Sequence, residues 1–322
     1  MPPKNRWTEH PRTLLRPGED FSLADLDHRS TPGWSGKKRH AREFMAHRGG
    51  LLSELQERLY AHGRSGGEKS VLLVIQGMDT SGKGGIARHV IGMVDPQGVT
   101  LRAFGRPTQE ELDHHFLWRI RRALPAGGQI GVFDRSHYED VLIARVDGLV
   151  EEAVWQKRYE EINQFEETVA ESGTTIVKVA LMISHEEQGL RLMKRLHRSD
   201  KYWKFDPADV DARRQWEDYR DAYADVFART HTEVAPWHVI PADRKWYARL
   251  AVSELLTQAL IDLDLAWPTP RWKVATQKRR LAETMSEEAL AQARAAAKDA
   301  KKKVRKQEQV FAAAIAEADK YR

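Results

Sequence analysis

The sequence predicts a three-layer α/β domain over about Ser70 to Leu265, and three observations carry that prediction. Five short apolar runs, Val71–Gln76, Val99–Phe104, Gln129–Phe133, Thr175–Met182 and His238–Ile240, alternate with longer stretches of helical character. Three of the five are near-continuously apolar and all are separated by 20 or more residues, which suits buried parallel strands joined by helical crossovers. The first run opens directly into a glycine-rich turn followed by helix formers.

Taken in order, residues 1–36 are rich in charge, Pro and Gly and read as an N-terminal arm or irregular wrap. Lys37 to His62 carries Phe44, Leu51, Leu52, Leu55 and Leu59 at helical spacing and stops at Gly63 and the Gly66-Gly67 pair. The α/β region follows, with a helix expected from about Ile86, and Trp267-Pro-Thr-Pro270 closes it. Glu283 to Arg322 is rich in Ala, Lys, Glu and Arg without Gly or Pro, so it is expected to be helical. Its apolar stripe (Leu290, Val304, Val310, Phe311, Ile315) is weak. The organisation is therefore an arm (1–36), a main domain (37–268) and a basic tail (269–322).

Composition narrows the function. With 322 residues, 41% hydrophobic and 31% charged, the chain has ample volume for a core. The absence of cysteine excludes disulfides, thiol catalysis and thiolate metal sites together. No apolar run approaches the roughly 18 residues of a membrane span, and the N-terminus lacks the apolar stretch of a signal peptide. The cytoplasm is the expected compartment, with no membrane partner. The net charge of +5 is unevenly placed: from Arg271 onward fourteen Lys/Arg face seven Asp/Glu, a net +7, which leaves −2 on residues 1–270. The basic balance belongs to the tail and does not argue for nucleic acid as partner.

The first strand runs into Gly77-Met-Asp-Thr-Ser-Gly-Lys83-Gly-Gly85, the pattern G-x-x-x-x-G-K. Glycines at Gly77, Gly82, Gly84 and Gly85 let backbone N–H groups curl around phosphate oxygens, with Thr80 and Ser81 in the same turn. The following helix adds its dipole, and Lys83 adds a point charge. The alternative is an ordinary glycine-rich strand–helix turn. One position departs from the usual pattern: the hydroxyl residue that holds Mg²⁺ after the lysine is Gly84 here. A metal would need another oxygen ligand, for which Asp79 is the candidate.

The third strand ends in Phe133-Asp134-Arg135-Ser136-His137-Tyr138-Glu139-Asp140. In parallel sheets ligands sit at the carboxyl ends of the strands, where Asp134 is either a magnesium-organising carboxylate or a cap of the next helix, and Arg135 either binds phosphate or pairs with a carboxylate. His137 and Tyr138 read as packing and hydrogen-bonding residues. After the fourth strand, Arg191, Lys194 and Arg195 lie on a predicted helix, followed by Arg198, Lys201 and Lys204. Arg191 and Arg195, four apart, share a helical face. Such cations suit a lid that closes over a phosphate chain, and spacing alone leaves a solvated basic helix open.

Together these motifs resemble the polyphosphate kinase 2 family over roughly Trp34 to Pro268. The matching segments are Gln76–Gly85, Phe133–Leu142, Glu187-Gln-x-x-Arg191 through Lys201-Tyr-Trp-Lys204, Pro107-Thr108, Phe116-Leu-Trp-Arg119 and Ala235-Pro-Trp237 through Lys245. The resemblance implies a thymidylate-kinase-like P-loop fold with a five-stranded parallel sheet and a helical lid over about 185–235. It implies Mg²⁺-dependent phosphoryl transfer between inorganic polyphosphate and adenine nucleotides, with guanine nucleotides as a further option, in a homo-oligomer. Carried over by position, Asp79 and Asp134 hold metal and acceptor phosphate, and Lys83 contacts the transferred group. Arg135, Arg191 and Arg195 form a cationic clamp, and Lys194, Arg198, Lys201 and Lys204 bind polyphosphate from the lid. Ser136–Glu139 is most like the branch acting on both AMP and ADP, with Glu139 at the position of acceptor choice. Gly105, His115 and His197–Ser199 depart from that branch's pattern. The rival readings are an ATP-dependent nucleoside monophosphate kinase and a non-catalytic binding protein.

Overall fold

Ser70–Gln76 (β1) buries all seven of its residues, as expected of a central strand covered on both faces. Around it the computed structural model, which describes residues 3–318, sets four more strands. These are β2 (Val99–Ala103), β3 (Ile130–Asp134), β4 (Thr174–Met182) and β5 (Trp237–Pro241), in the order β2-β3-β1-β4-β5. All four pairings are parallel, with Ile75 opposite both Asp134 and Val179. The chain leaves β1 for one side of the sheet and returns through β4 on the other, so its topological switch lies at the carboxyl end of β1.

Among the described residues of this unit the longer helices are α1 (Lys38–Arg64), α2 (Lys83–His89), α3 (Glu152–Glu171), α4 (His185–Leu196), α5 (Ala208–Arg214, which buries no residue), α6 (Trp216–Thr230) and α7 (Lys245–Asp262). On α3 the buried residues Trp155, Tyr159, Ile162, Phe165 and Val169 recur every three or four positions. They meet Phe133, Tyr138, Phe227 and Trp237 in one core, where each large side chain contributes roughly 1.5–3 kcal/mol. α7 is buried almost all round because it lies against α1 as well as β1, β4 and β5.

The arm is structured and belongs to this unit. Trp7 and Trp34 are buried edge to face at 5.3 Å and form a short antiparallel bridge. The Val239 N–H of edge strand β5 donates to the Leu15 carbonyl at 2.7 Å, so the arm covers a sheet edge that would otherwise be open.

The described residues divide into two compact units, one ending at Leu265 and the other beginning at Ala266. The second unit holds α8 (Val274–Ala282) and α9 (Glu287–Ala318). The expectation of one helix from Glu283 is corrected by a break before Glu287. There the Ser286 hydroxyl accepts from the Ala289 N–H at 3.3 Å, and Glu287 and Glu288 complement the helix dipole. The first two residues of the arm and the last four of the expected tail helix lie outside the described residues.

Candidate active site

The Gly77–Gly85 loop leaves the carboxyl end of β1 and turns into α2. Gly77 has φ +145°, and a Cβ there would lie 2.6 Å from the Leu181 carbonyl oxygen, so only glycine fits. Gly82, at φ +121°, likewise uses backbone space closed to L side chains. Gly84 is exposed, and a Cβ there would meet nothing within 4 Å, so packing does not require its departure from the usual hydroxyl residue. Thr80 and Arg135 both sit at φ +65°, and such strain in non-glycine residues concentrates at functional sites. The buried hydroxyls of Thr80 and Ser81 have no hydrogen-bond partner among the described residues, which leaves two donors in the loop for an anion.

The loop and the end of β3 form a charged cluster. Arg135 Nη2 donates to Asp79 Oδ1 at 2.8 Å, and Lys83 Nζ donates to the Gly77 carbonyl at 2.6 Å. Burial raises the Asp79 carboxyl, but Lys83 and Arg135 outweigh it and hold Asp79 below the usual carboxylate range. Burial pushes the Lys83 ammonium down, against the pull of Asp79. It also raises Glu139, which interacts with Arg135 and Lys83, while Asp134 couples electrostatically to the same two cations. The predicted residues Asp79, Lys83, Asp134, Arg135 and Glu139 are therefore neighbours.

Behind them lies a buried network whose centre the sequence reading passed over. Lys178, in the middle of β4, is wholly buried and donates to Glu166 Oε2 (2.6 Å), the Tyr138 hydroxyl (2.7 Å) and the Thr230 carbonyl (2.7 Å). Glu166 Oε1 in turn accepts from the Tyr138 hydroxyl at 2.8 Å and lies 3.2 Å from His137 Nε2. Gln76 Nε2 donates to Ser136 Oγ at 3.1 Å, so the backbone of 136–139 is held from two sides. A lysine inside an apolar strand is the signal that such a partner must exist.

The lid residues divide. Arg191 is buried, and its five N–H donors are all directed to protein oxygens. Nε donates to Glu187 (2.8 Å), Nη1 to the carbonyls of Thr80 (2.9 Å) and Ser81 (3.0 Å), and Nη2 to those of Ala242 (2.8 Å) and Asp243 (2.9 Å). Arg191, expected in the cationic clamp, ties the loop, α4 and the end of β5 together in this structure. Arg195 bonds Asp209 at 3.2 Å and reaches Asp79 electrostatically, so it faces the cluster. Arg198 and Lys201 both pair with exposed Asp200, Lys204 lies over the Trp203 ring, and Lys194 is exposed.

Further cations sit beside the loop that spacing did not single out. The Arg249 guanidinium lies 3.4 Å from where a Cβ on Gly85 would be, close to Arg42 and Arg88. Burial and the repulsion of Arg191, offset in part by Glu187, bring Lys245 down to about 8. Arg42, Arg88, Arg249 and Lys245, with Glu187 offsetting Lys245 in part, make a cationic surface suited to a polyanion.

Among the described residues no group of three or more His, Asp or Glu side chains forms a metal cage. The donor set fits a different kind of site. Asp79 has a second carboxylate oxygen beyond the one that Arg135 occupies, and Asp134 closes the neighbouring strand. Magnesium is typically bound by one or two carboxylates together with substrate phosphates.

A family model described as Polyphosphate kinase 2 (PPK2) matches residues 20–265. The AMP/ADP-polyphosphate phosphotransferase of Meiothermus ruber is 43% identical over 256 residues, covering 80% of this chain and 94% of that protein. The ADP-polyphosphate phosphotransferase of Rhodopseudomonas palustris is 40% identical, covering 78% and 89%. The crystal structure of polyphosphate kinase 2 from Arthrobacter aurescens TC1 superposes with a TM-score of 0.84 at 50% identity, covering 87% of this chain and 99% of that one. Sequence and fold thus agree over residues 20–265, which carry the charged cluster, and the chain belongs to the polyphosphate kinase 2 family.

Proposed function

We propose that this protein transfers a phosphoryl group from inorganic polyphosphate to nucleotides, converting ADP to ATP and AMP to ADP. The observation that carries the proposal is the meeting of the Gly77–Gly85 loop, Asp79, Lys83, Arg135 and Glu139 at the carboxyl ends of β1 and β3 in a chain of this family. A terminal phosphate oxygen of the nucleotide attacks the terminal phosphorus of the chain. One P–O–P bond breaks as a new one forms, and polyphosphate shortened by one unit leaves as the anion. The attacking oxygen is already deprotonated, so no general base is required. The protein's work is alignment and neutralisation of charge on the transferred group. Lys83 and Arg135 supply fixed positive charge there, and Arg195 adds to it from the lid.

Mg²⁺ is the proposed cofactor: Asp79 and Asp134 would hold it, and it would neutralise phosphate charge. The cleft beside Met78, where Leu23, Met182 and Trp216 meet His28, Glu186 and Arg220, offers an aromatic wall and polar partners for the acceptor base. Glu139 is the proposed determinant of acceptor choice. Guanine acceptors, a homo-oligomeric state and a cytoplasmic setting belong to the same reading. Acceptor competition, light scattering and cell fractionation measure them. Among the described residues no helix is long and apolar enough to cross a membrane.

The experiment is an assay of AMP and of ADP phosphorylation with polyphosphate or a nucleoside triphosphate as separate donors. Transfer from polyphosphate supports the proposal. Transfer from a nucleoside triphosphate alone would replace it with the monophosphate kinase reading.

A further inference from the structure

The tail lies beyond the family match, which ends at residue 265, yet it holds the chain's excess positive charge. Helix α9 is long and rich in Ala, so its sequence favours helix without help from packing, and residues 291–310 are exposed throughout. At about 100° per residue, Arg294, Lys298, Lys301 and Arg305 fall within a sector of about 60° and span about 16 Å of helix. Their spacing of four, three and four makes each the neighbour of the next on one face, and like charges so placed destabilise a helix. Among the described residues none of the four makes an ion pair with a carboxylate. Asp299 lies on another face, four positions before Lys303. Glu308, three positions after Arg305, flanks one end of the row without closing an ion pair. Arg294, Lys298 and Lys301 have no carboxylate three or four positions away, so their repulsion stands, a feature expected of a binding surface rather than of a solvated helix.

We propose that the stripe Arg294–Lys298–Lys301–Arg305 is an auxiliary binding site for long-chain inorganic polyphosphate, separate from the catalytic cluster. An anion with a charge at every repeat, laid along the stripe, turns each neighbour repulsion into shared attraction. Because site and stripe share one chain, a polymer held by the tail is presented to the active site at raised effective concentration. The benefit exists only for donors long enough to engage both, so it acts on KM for long chains and leaves turnover alone. Nucleic acid is the competing polyanion, and the enzyme's own donor favours polyphosphate.

The inference rests on polyphosphate being the donor, and the test separates the two claims. In the full chain, Arg294, Lys298, Lys301 and Arg305 are changed together to Gln, which preserves helix propensity. A second variant changes Lys303 and Lys306, which lie on other faces of the helix, to Gln. KM and kcat are measured with tripolyphosphate and with chains of several hundred phosphates, at low and high salt. The stripe variant is expected to raise KM for the long donor about tenfold at low salt, with the difference fading as salt rises. Its kcat and its tripolyphosphate kinetics should stay within about twofold, as should the off-stripe variant on both donors. An unchanged long-donor KM, an equal rise with tripolyphosphate, or equal effects of the two variants would each overturn the proposal. So would duplex DNA binding the parent more tightly than long polyphosphate does, which would make the stripe a nucleic-acid site. Failure of the parent to use either polyphosphate would instead remove the function proposed above.

Discussion

Arg135 donates to Asp79 across the seam between β3 and β1, binding the residue after one strand to the loop after the other at 2.8 Å. The contact fixes a residue with φ +65° and keeps an anion inside a loop built for anions. Left without Arg135, Asp79 would repel a phosphate in the loop; under the proposed function the pair would present a cation toward that phosphate and the second Asp79 oxygen toward Mg²⁺.

Because the two residues act as a unit, Asp79→Ala and Arg135→Ala should each lower kcat by about 10²–10³. The double variant should lose little more than either single one. A double-mutant cycle in kcat checks this, and fully additive losses would show that the residues act independently.

The two lid arginines should fail differently. Arg191→Ala leaves four carbonyls without a donor, at a cost to stability of about 1–3 kcal/mol for each one that stays buried and unpaired. It should therefore lower the thermal midpoint together with activity. Arg195→Ala, at a partly exposed pair, should change stability by less than about 1 kcal/mol while lowering kcat. Equal midpoints for the two variants would contradict the tether.

Glu166→Gln breaks a buried ion pair and should destabilise the protein by about 3–5 kcal/mol. Glu166→Leu with Lys178→Met should recover much of that loss, because no charge is left stranded. Burial alone would raise the Glu166 carboxyl, but Lys178 and His137 hold it below its ordinary 4.5. The pair's contribution to stability is thus present above 4.5 and is lost as pH falls through the lower folded value. Denaturation midpoints across the acid range should show this fall in the parent and a smaller one in Glu166→Gln.

Lys245, brought down to about 8, is charged below that pH and neutral above it. If it helps to hold the donor, kcat/KM for polyphosphate should decline as pH rises through about 8. Lys245→Arg, which stays charged, should move the decline upward; a decline unmoved by this change would assign it to another group.

The five strands were legible because each is a short apolar run with a long crossover, and structure moved their ends by no more than a residue or two at each. Asp134 was legible as the last residue of β3 by the same logic. The order β2-β3-β1-β4-β5 was not, since pairing partners are set by contacts far apart in sequence. Arg191 shows the limit at the site: helical spacing placed it beside Arg195, but its carbonyl partners at Thr80 and Ala242 lie 111 and 51 positions away. Arg249 and Lys245 were hidden for a similar reason, because the fold alone brings them next to Gly85 and Arg191. Lys178 could have been found, since a lysine within Thr175–Met182 had to meet a buried anion.

The central claim is tested most directly by following products over time with polyphosphate as the sole phosphoryl source and Mg²⁺ present, starting separately from AMP and from ADP. The parent protein should form ATP from ADP, and ADP followed by ATP from AMP. Lys83→Ala, with an unchanged circular dichroism spectrum, should form neither. Absence of transfer from polyphosphate to both nucleotides by the folded parent, or undiminished transfer by Lys83→Ala, would contradict the account.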